Sequence, residues 1–253
     1  MIKIRRANRP ASLDKPDHLF VKNDYKNNDV KGALLRMQYS KCCYCERDIG
    51  KLPKTEREVD HYVPRSAFKD SNGNIQWHSA NQWGNLLYSC RTCNSKKGNK
   101  NPFKDGNERE KIDPSVDDID PEDHIDFVIE GIIISFKEKN GSLLGRTTID
   151  NLKFDERIDL FGIFRRQAAE LEVHFIDLIN AITAEETAAI TSLVNELSRV
   201  MSAHVPIAAF KRSFIRNRVR ELNEEQIPRL ERRYHRSYDR IEVHFPKGYE
   251  TVM

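Results

Sequence analysis

Residues 42–45 read Cys-Cys-Tyr-Cys and residues 90–93 read Cys-Arg-Thr-Cys, and the stretch between these two groups decides the fold. In each group the first and last cysteines are separated by two residues. Two such pairs are a strong zinc signal, because a tetrahedral structural zinc takes its four ligands from two short knuckles. The sequence therefore predicts one structural Zn²⁺, which would staple a loop-rich unit. The predicted ligands are Cys42, Cys45, Cys90 and Cys93.

Cys43 is the fifth cysteine of the 253-residue chain. A knuckle formed by Cys43 and Cys45 would leave a single residue between its ligands, which closes poorly around a tetrahedral ion. We therefore expect Cys43 to be a packed thiol outside the metal site. Cysteines concentrated in knuckles indicate metal binding in a reducing compartment rather than disulfide bonds, and the expected location is cytoplasmic.

The chain shows no feature of a membrane or secreted protein. No apolar run approaches the ~20 residues that a membrane helix needs. The first ten residues, MIKIRRANRP, are basic but lack the apolar segment of a secretion signal. Hydrophobic residues make up 38% of the chain and charged residues 32%, which indicates a polar globular protein without a membrane partner.

A second set of polar residues lies around the knuckles. Asp60-His61 and Asn85 stand between them, and Asn94 follows the second knuckle. Phosphodiester hydrolysis needs a metal that polarises the phosphate and a base that activates water. Asp60 offers a carboxylate to an ion such as Mg²⁺. The ordinary pKa of histidine, near neutrality, suits His61 to the base. Neighbouring side chains on a regular strand point to opposite faces, so a distortion or the strand end must bring the pair together.

Local patterns predict the elements around this set. Strands are expected at residues 58–64 and 85–89, and a helix or turn from Asn94 that Gly98 limits. Residues 29–39 predict a short helix, and residues 1–28 an extended arm over the surface. The apolar run 127–136, with a turn at Asn140-Gly141, predicts a β-hairpin after an acidic loop at 113–126. Three amphipathic helices are predicted at 155–182, at 184–201 and after Pro206. We expect three regions: 1–41, 42–112 and 113–253.

The runs EVDHYVPRS (58–66) and WGNLLYSCRTCNSKKG (83–98) resemble HNH endonucleases of the ββα-metal class. More narrowly, the chain is similar to HNH nucleases of bacterial anti-phage systems, the PtuB component of Septu and of some retrons. The resemblance implies an α+β fold: a zinc-stapled ββα-metal nuclease core with a β-hairpin and a C-terminal helical subdomain. It implies that Asp60 binds the catalytic metal, that His61 is the base, and that Asn85 ties the hairpin loop together. Asn94 takes the place of the family's final histidine and could offer a carbonyl oxygen to Mg²⁺ or Mn²⁺.

Charge is unevenly distributed although the net charge is only +3. Basic segments at 86–111 and 199–240 flank the acidic segment 113–126, a pattern typical of a polyanion-binding surface. Solvated helix faces would give the same runs. The candidate nucleic-acid-binding residues are Arg91, Lys96 and Lys97, which could instead solvate the start of a helix. A basic stripe at Arg212, Arg216 and Arg220 could bind nucleic acid, pair with an acidic partner, or face water.

The sequence thus predicts a metal-dependent endonuclease acting on DNA, with RNA as a variant. The resemblance implies an anti-phage role with a PtuA-like ATPase as partner. The chain has no Walker motif, so ATP use would belong to that partner. Two alternatives stay open: a non-catalytic zinc-stapled module that binds nucleic acid or a partner, and a restriction-type HNH nuclease acting alone.

Overall fold

A computed structural model of the protein describes residues 1–104, 108–130 and 133–220. The described chain divides into two compact units. The first comprises residues 1–126 and 135–157, and the second comprises residues 127–134 and the described residues from Ile158 onward. The predicted α+β fold class is confirmed, whereas the predicted domain boundaries stay predictions.

The centre of the first unit is a two-stranded antiparallel sheet followed directly by a helix. Strand β1 (Arg57–His61) pairs with β2 (Leu86–Cys90), with His61 opposite Leu86, and helix α3 (Arg91–Lys97) follows β2 without a break. The helix begins at Arg91, three residues earlier than predicted, because the knuckle itself starts it: the Cys90 thiol accepts the Cys93 N–H at 3.4 Å. The helix ends at Gly98, whose φ of 61° suits a glycine. The register places the second knuckle beside Arg57 at the start of β1, and the Cys90 N–H donates to the Cys42 Sγ at 3.3 Å, which brings the first knuckle to the same place.

The N-terminal segment is part of the core, contrary to the expected surface arm. Ile2, Ile4 and Leu13 are buried. The Arg6 guanidinium donates to the backbone carbonyls of Trp83, Gly84 and Leu86, each at 2.7 Å. These carbonyls precede or begin β2, so Arg6 holds the segment against the strand. Helix α1 (Asn28–Met37) follows and buries one apolar face, made by Val30, Ala33, Leu34 and Met37.

The remaining elements of this region include one correction. Short strands β3 (Phe103–Lys104) and β4 (Glu108–Arg109) pair, and helix α2 (Trp77–Ala80) lies between β1 and β2 in the chain. The predicted hairpin exists, but its strands are β5 (Ile125–Glu130) and β6 (Ile133–Glu138). The apolar run is long enough for two strands, so Asn140-Gly141 turns the chain into helix α4 (Leu143–Leu152) instead. Ser142 caps that helix by accepting the Gly145 N–H.

The second unit contains the three predicted helices. They are α5 (Ile158–Thr183), α6 (Thr187–Val200) and α7 (Ala208–Arg220). Most of the described apolar positions that gave the helical period are buried, and Phe164 stacks on Phe210 with ring centroids 4.7 Å apart. The sequence also predicts a short strand at 241–245, which lies outside the described residues. None of the helices described is both long enough and apolar enough to cross a bilayer.

Candidate active site and metal centre

The four predicted zinc ligands form one buried cluster. Their Sγ atoms all lie within 4.8 Å of one another, and the Sγ atoms of Cys45 and Cys90 are 3.8 Å apart. A tetrahedron with Zn–S bonds of about 2.3 Å has S–S edges of roughly 3.8 Å, so spacing and donor set both fit a zinc ion. Cys43 is buried but lies outside the cluster. The predicted clustering of the two knuckles is confirmed.

Arg157 is a neighbour of this cluster that the sequence reasoning missed. Its side chain is 1% exposed, and Nη1 donates to the Cys93 Sγ at 3.1 Å. Four thiolates around a divalent ion leave two negative charges, and a buried guanidinium offsets part of that charge. Arg157 follows a short 3-10 helix (Phe154–Glu156) far from both knuckles in sequence. No local pattern marked it.

Asp60 and His61 line one cleft with a volume of about 480 Å³, together with Glu58 and Asn94. His61 is the last residue of β1, where the regular alternation of side chains stops. All five residues of β1, from Arg57 to His61, line this cleft, and the neighbours Asp60 and His61 therefore both border it. Asp60 is 3% exposed and His61 is 7% exposed, so both groups are largely shielded from water.

The Asp60 carboxylate is held from two sides. Oδ2 accepts the Tyr44 hydroxyl at 2.5 Å, and Oδ1 pairs with the Lys97 ammonium at 2.9 Å. Lys97 also donates to the His61 carbonyl at 2.8 Å. The sequence predicts that Lys97 contacts phosphate, but Lys97 is only 4% exposed. Helix α3, which carries Lys97, packs against β1, and this packing buries the Lys97 side chain. Lys97 therefore fixes the end of β1 and neutralises Asp60.

Replacing Lys97 with methionine is expected to lower the free energy of unfolding by about 3–5 kcal/mol, because it leaves a buried carboxylate without its counter-charge. Urea unfolding, with the cysteine site loaded but no Mg²⁺ added, measures the loss. Lys96→Met is the matched control, since Lys96 pairs with the exposed Glu156 and such pairs contribute little. An equal effect of both substitutions would contradict a stabilising Lys97–Asp60 pair.

Asn81, which the sequence reasoning also missed, fixes the orientation of His61. The Asn81 Oδ1 lies 3.1 Å from the His61 Nε2, and the Asn81 Nδ2 donates to the Val21 carbonyl at 3.0 Å. The amide oxygen thus faces the imidazole, which assigns the proton to Nε2 and leaves Nδ1 as an acceptor. Burial lowers the pKa of His61, which favours the neutral ring. A neutral imidazole with a free Nδ1 can accept a proton.

For the nucleolytic reaction that the sequence predicts, Asn81→Leu is expected to lower kcat on the order of 10²-fold, because the imidazole loses the contact that fixes its orientation. Nucleic-acid affinity should change little, which separates positioning from binding. Asn81→Asp keeps an acceptor at Nε2 and should recover part of the rate. Cleavage kinetics and equilibrium binding on the three proteins test this. A parallel loss of affinity and rate, without recovery in Asn81→Asp, would indicate a purely structural role.

Asn85 and Asn94 occupy different positions at the site. Asn85 accepts the Val63 N–H at 2.7 Å and donates to the carbonyls of Val63 and Ala80, so it closes the loop between β1 and β2. Asn94 is half-buried and its Nδ2 donates to the Glu58 Oε2 at 2.5 Å. That contact turns the Nδ2 of Asn94 toward Glu58 and leaves its Oδ1 as the group that can ligate a metal. Glu58 was not singled out from the sequence.

The other two candidate nucleic-acid contacts lie on the outer side of α3. Arg91 is exposed in the first turn, and Lys96 pairs with Glu156 at 2.9 Å. Among the described residues, neither Arg91 nor Lys96 lines the cleft. The structure therefore does not bring Arg91, Lys96 and Lys97 together as one surface. On the stripe of α7, Arg212 donates to the Met201 carbonyl.

Comparison with known proteins agrees with this geometry. Residues 42–100 match the family model of the HNH endonucleases. The chain is 30% identical over 163 residues to a Septu protein PtuB of Bacillus thuringiensis, which covers 62% of this chain and 55% of that protein. It is also 30% identical over 210 residues to a Septu protein PtuB of Bacillus mycoides (strain KBAB4), covering 67% and 65%. The chain thus spans less than two thirds of either relative. No solved structure gives a significant match.

Proposed function

Because residues 42–100 form an HNH endonuclease domain, we propose that the protein is a metal-dependent endonuclease that hydrolyses phosphodiester bonds. DNA is the main proposed substrate, and RNA is the second. The observation that carries the proposal is the joint placement of Asp60 and His61 in one cleft, with an oriented base and a buried carboxylate. A purely structural zinc module would not need either arrangement.

The proposed roles follow from the contacts. His61 accepts a proton from the attacking water at Nδ1, and Asn81 holds the ring in that tautomer. Asp60 and Asn94 would hold Mg²⁺ or Mn²⁺ through oxygen atoms, which are the ligands that such hard ions take. Each carboxylate oxygen of Asp60 carries a further lone pair beyond the one that Tyr44 or Lys97 uses, so the donor set fits. When bound, the ion would polarise the phosphate.

The four-cysteine site is proposed to hold one structural Zn²⁺. Its ligands are buried and leave no open position for a substrate. The two knuckles flank β1 and β2 in the chain, so the ion fixes the frame on which Asp60 and His61 stand. Asn85 closes the intervening loop from the other end.

The two relatives are named as Septu proteins, which supports a proposed role in anti-phage defence. We further propose that a PtuA-like ATPase binds the protein and regulates or targets cleavage. This proposal rests on the relatives' names and on the absence of a Walker motif from the sequence.

A cleavage assay tests the proposal directly. Supercoiled plasmid and single-stranded RNA are incubated with the purified protein and Mg²⁺ or Mn²⁺, with and without the ATPase, and then with a chelator. The expected result is cutting of plasmid that needs the divalent ion. Failure to cut under every condition would favour the non-catalytic binding module. Site-specific fragments without the ATPase would favour a nuclease that acts alone.

A further inference from the structure

One side of the active-site cleft is formed by residues outside the HNH endonuclease domain. Tyr25, Lys26 and Lys31 line the cleft, yet all three precede residue 42. Tyr25 and Lys26 belong to a 3-10 helix (Asp24–Lys26), and Lys31 lies on α1. Arg65, just beyond β1, lines the cleft beside them. We call these four residues the Tyr25 wall.

The Tyr25 wall is built around its aromatic ring. The ring centroids of Tyr25 and His61 are 4.7 Å apart with the planes at 75°, an edge-on contact with the proposed base. The Lys26 Nζ lies 5.6 Å from the centroid of the Tyr25 ring, and the Arg65 Cζ lies 5.9 Å from it. Two cations therefore gather on an aromatic ring that touches the proposed base.

The positive charges of the Tyr25 wall are uncompensated. Across the described chain, Lys26, Lys31 and Arg65 take part in no ion pair, and Lys31 and Arg65 are only half-buried. Of the other two cations of the cleft, Lys97 pairs with Asp60, and Arg57 donates to the carbonyls of Ile49 and Gly50 but, like the wall, has no ion pair among the described residues. Three of the four cleft cations without an ion pair thus belong to the Tyr25 wall.

We propose that the Tyr25 wall binds the phosphodiester backbone that flanks the scissile phosphate. This inference rests on the proposed function. It adds substrate-binding residues to that function, and three of the four lie outside the HNH endonuclease domain. Three cations from two segments of the chain suit a polymer with repeated phosphates better than a single anion. Such contacts set the position of the strand and carry no base sequence, so the wall aligns the backbone with His61.

The salt dependence of binding tests the wall. The parent is His61→Gln, which blocks the proposed base and keeps a side chain against Tyr25. Fluorescence anisotropy measures its affinity for a labelled DNA duplex and for single-stranded RNA over a range of salt concentrations. Each of Lys26→Ala, Lys31→Ala and Arg65→Ala should reduce the slope of log K against log salt by about 0.9 on the duplex and about 0.7 on the single strand. Whichever binds more tightly, the DNA duplex or the single-stranded RNA, is the nucleic acid whose backbone the wall binds.

Lys51→Ala is the matched control, because Lys51 is a lysine with an 86% exposed side chain, paired with Asp48 and outside the cleft. Its slope should equal that of the parent, and thermal melts should show that all variants fold. Unchanged slopes in all three wall variants, with a parent that binds, would overturn the wall and leave the proposed function standing. A parent that binds neither strand type, together with a wild-type protein that does not cut, would overturn both.

Discussion

Replacing His61 with alanine is expected to lower kcat for divalent-ion-dependent cleavage by about 10²- to 10⁴-fold, the usual contribution of a positioned general base. The reason is geometric. The Asn81 contact leaves Nδ1 of a neutral imidazole as the acceptor, and His61 lines the cleft that Asp60 also lines. Without the His61 imidazole, the attacking water loses its proposed proton acceptor. The measurement is the initial rate of plasmid nicking at saturating substrate, with Mg²⁺ and with Mn²⁺.

A matched control is His78→Ala. His78 lies on α2, is half-buried like many surface histidines, and belongs to the same loop region between β1 and β2. It should retain the full rate. The His61→Ala protein should keep its metal content, because the four thiolates do not contact the imidazole. Wild-type activity in His61→Ala would remove His61 from the mechanism, whereas equal losses in both variants would point to a loop that had lost its fold.

The features that sequence predicted well are those whose physics is local. In a C-x-x-C knuckle the short segment between the cysteines sets the distance between the two ligands. Two knuckles can share one tetrahedral ion only if the chain between them folds back and brings them together. Helices α5, α6 and α7 were readable because a buried face repeats every 3.6 residues. The strand pair was readable because its β-branched and aromatic residues lie next to turn signals. These patterns predicted the elements, whereas their assembly into a zinc-stapled ββα core was implied by the resemblance to HNH endonucleases.

The missed residues act across distances that a sequence pattern does not encode. Asn81 meets His61 from 20 positions away, and Tyr44 meets Asp60 from 16. Asn81 carried no local signal. Lys97 was singled out as a phosphate contact, and only its pairing with Asp60 was missed. That pairing had a local signal, because Lys97 stands three residues after Asn94 and both occupy one face of a helix. Glu58 carried another, because alternate residues of a strand share a face, which places it on the side of Asp60.

The N-terminal segment was misread because its composition conceals its role. Its many lysines, asparagines and aspartates indicated an exposed arm. Ile2, Ile4, Leu13 and Phe20 among them are nevertheless buried, and only Leu19 and Val21 of its large apolar residues are exposed. Arg6 donates to three carbonyls of the chain around β2, which lie 77 to 80 positions away in the sequence. Hydrogen bonds from one guanidinium to distant carbonyls appear only once the chain is folded.

The second large effect is expected at the cysteine cluster. Cys93→Ala should reduce the bound metal to well below one ion per chain and abolish cooperative unfolding of the first unit. A structural zinc site contributes on the order of 10 kcal/mol of folding free energy, which is comparable with the whole stability of a domain. The substitution also removes the acceptor of the buried Arg157, a further loss. Elemental analysis and far-ultraviolet circular dichroism during heating measure the two effects.

Cys43→Ala is the sharpest control that the chain offers, because Cys43 is adjacent to a proposed ligand, equally buried, and outside the cluster. It removes one sulfur from within the first knuckle and should keep one metal ion per chain, with a melting transition close to that of the wild type. If Cys43→Ala lost the metal as Cys93→Ala does, the knuckle would use a different pair of thiols. If neither variant lost it, the ion would be held elsewhere, and the staple that positions Asp60 and His61 would need another origin.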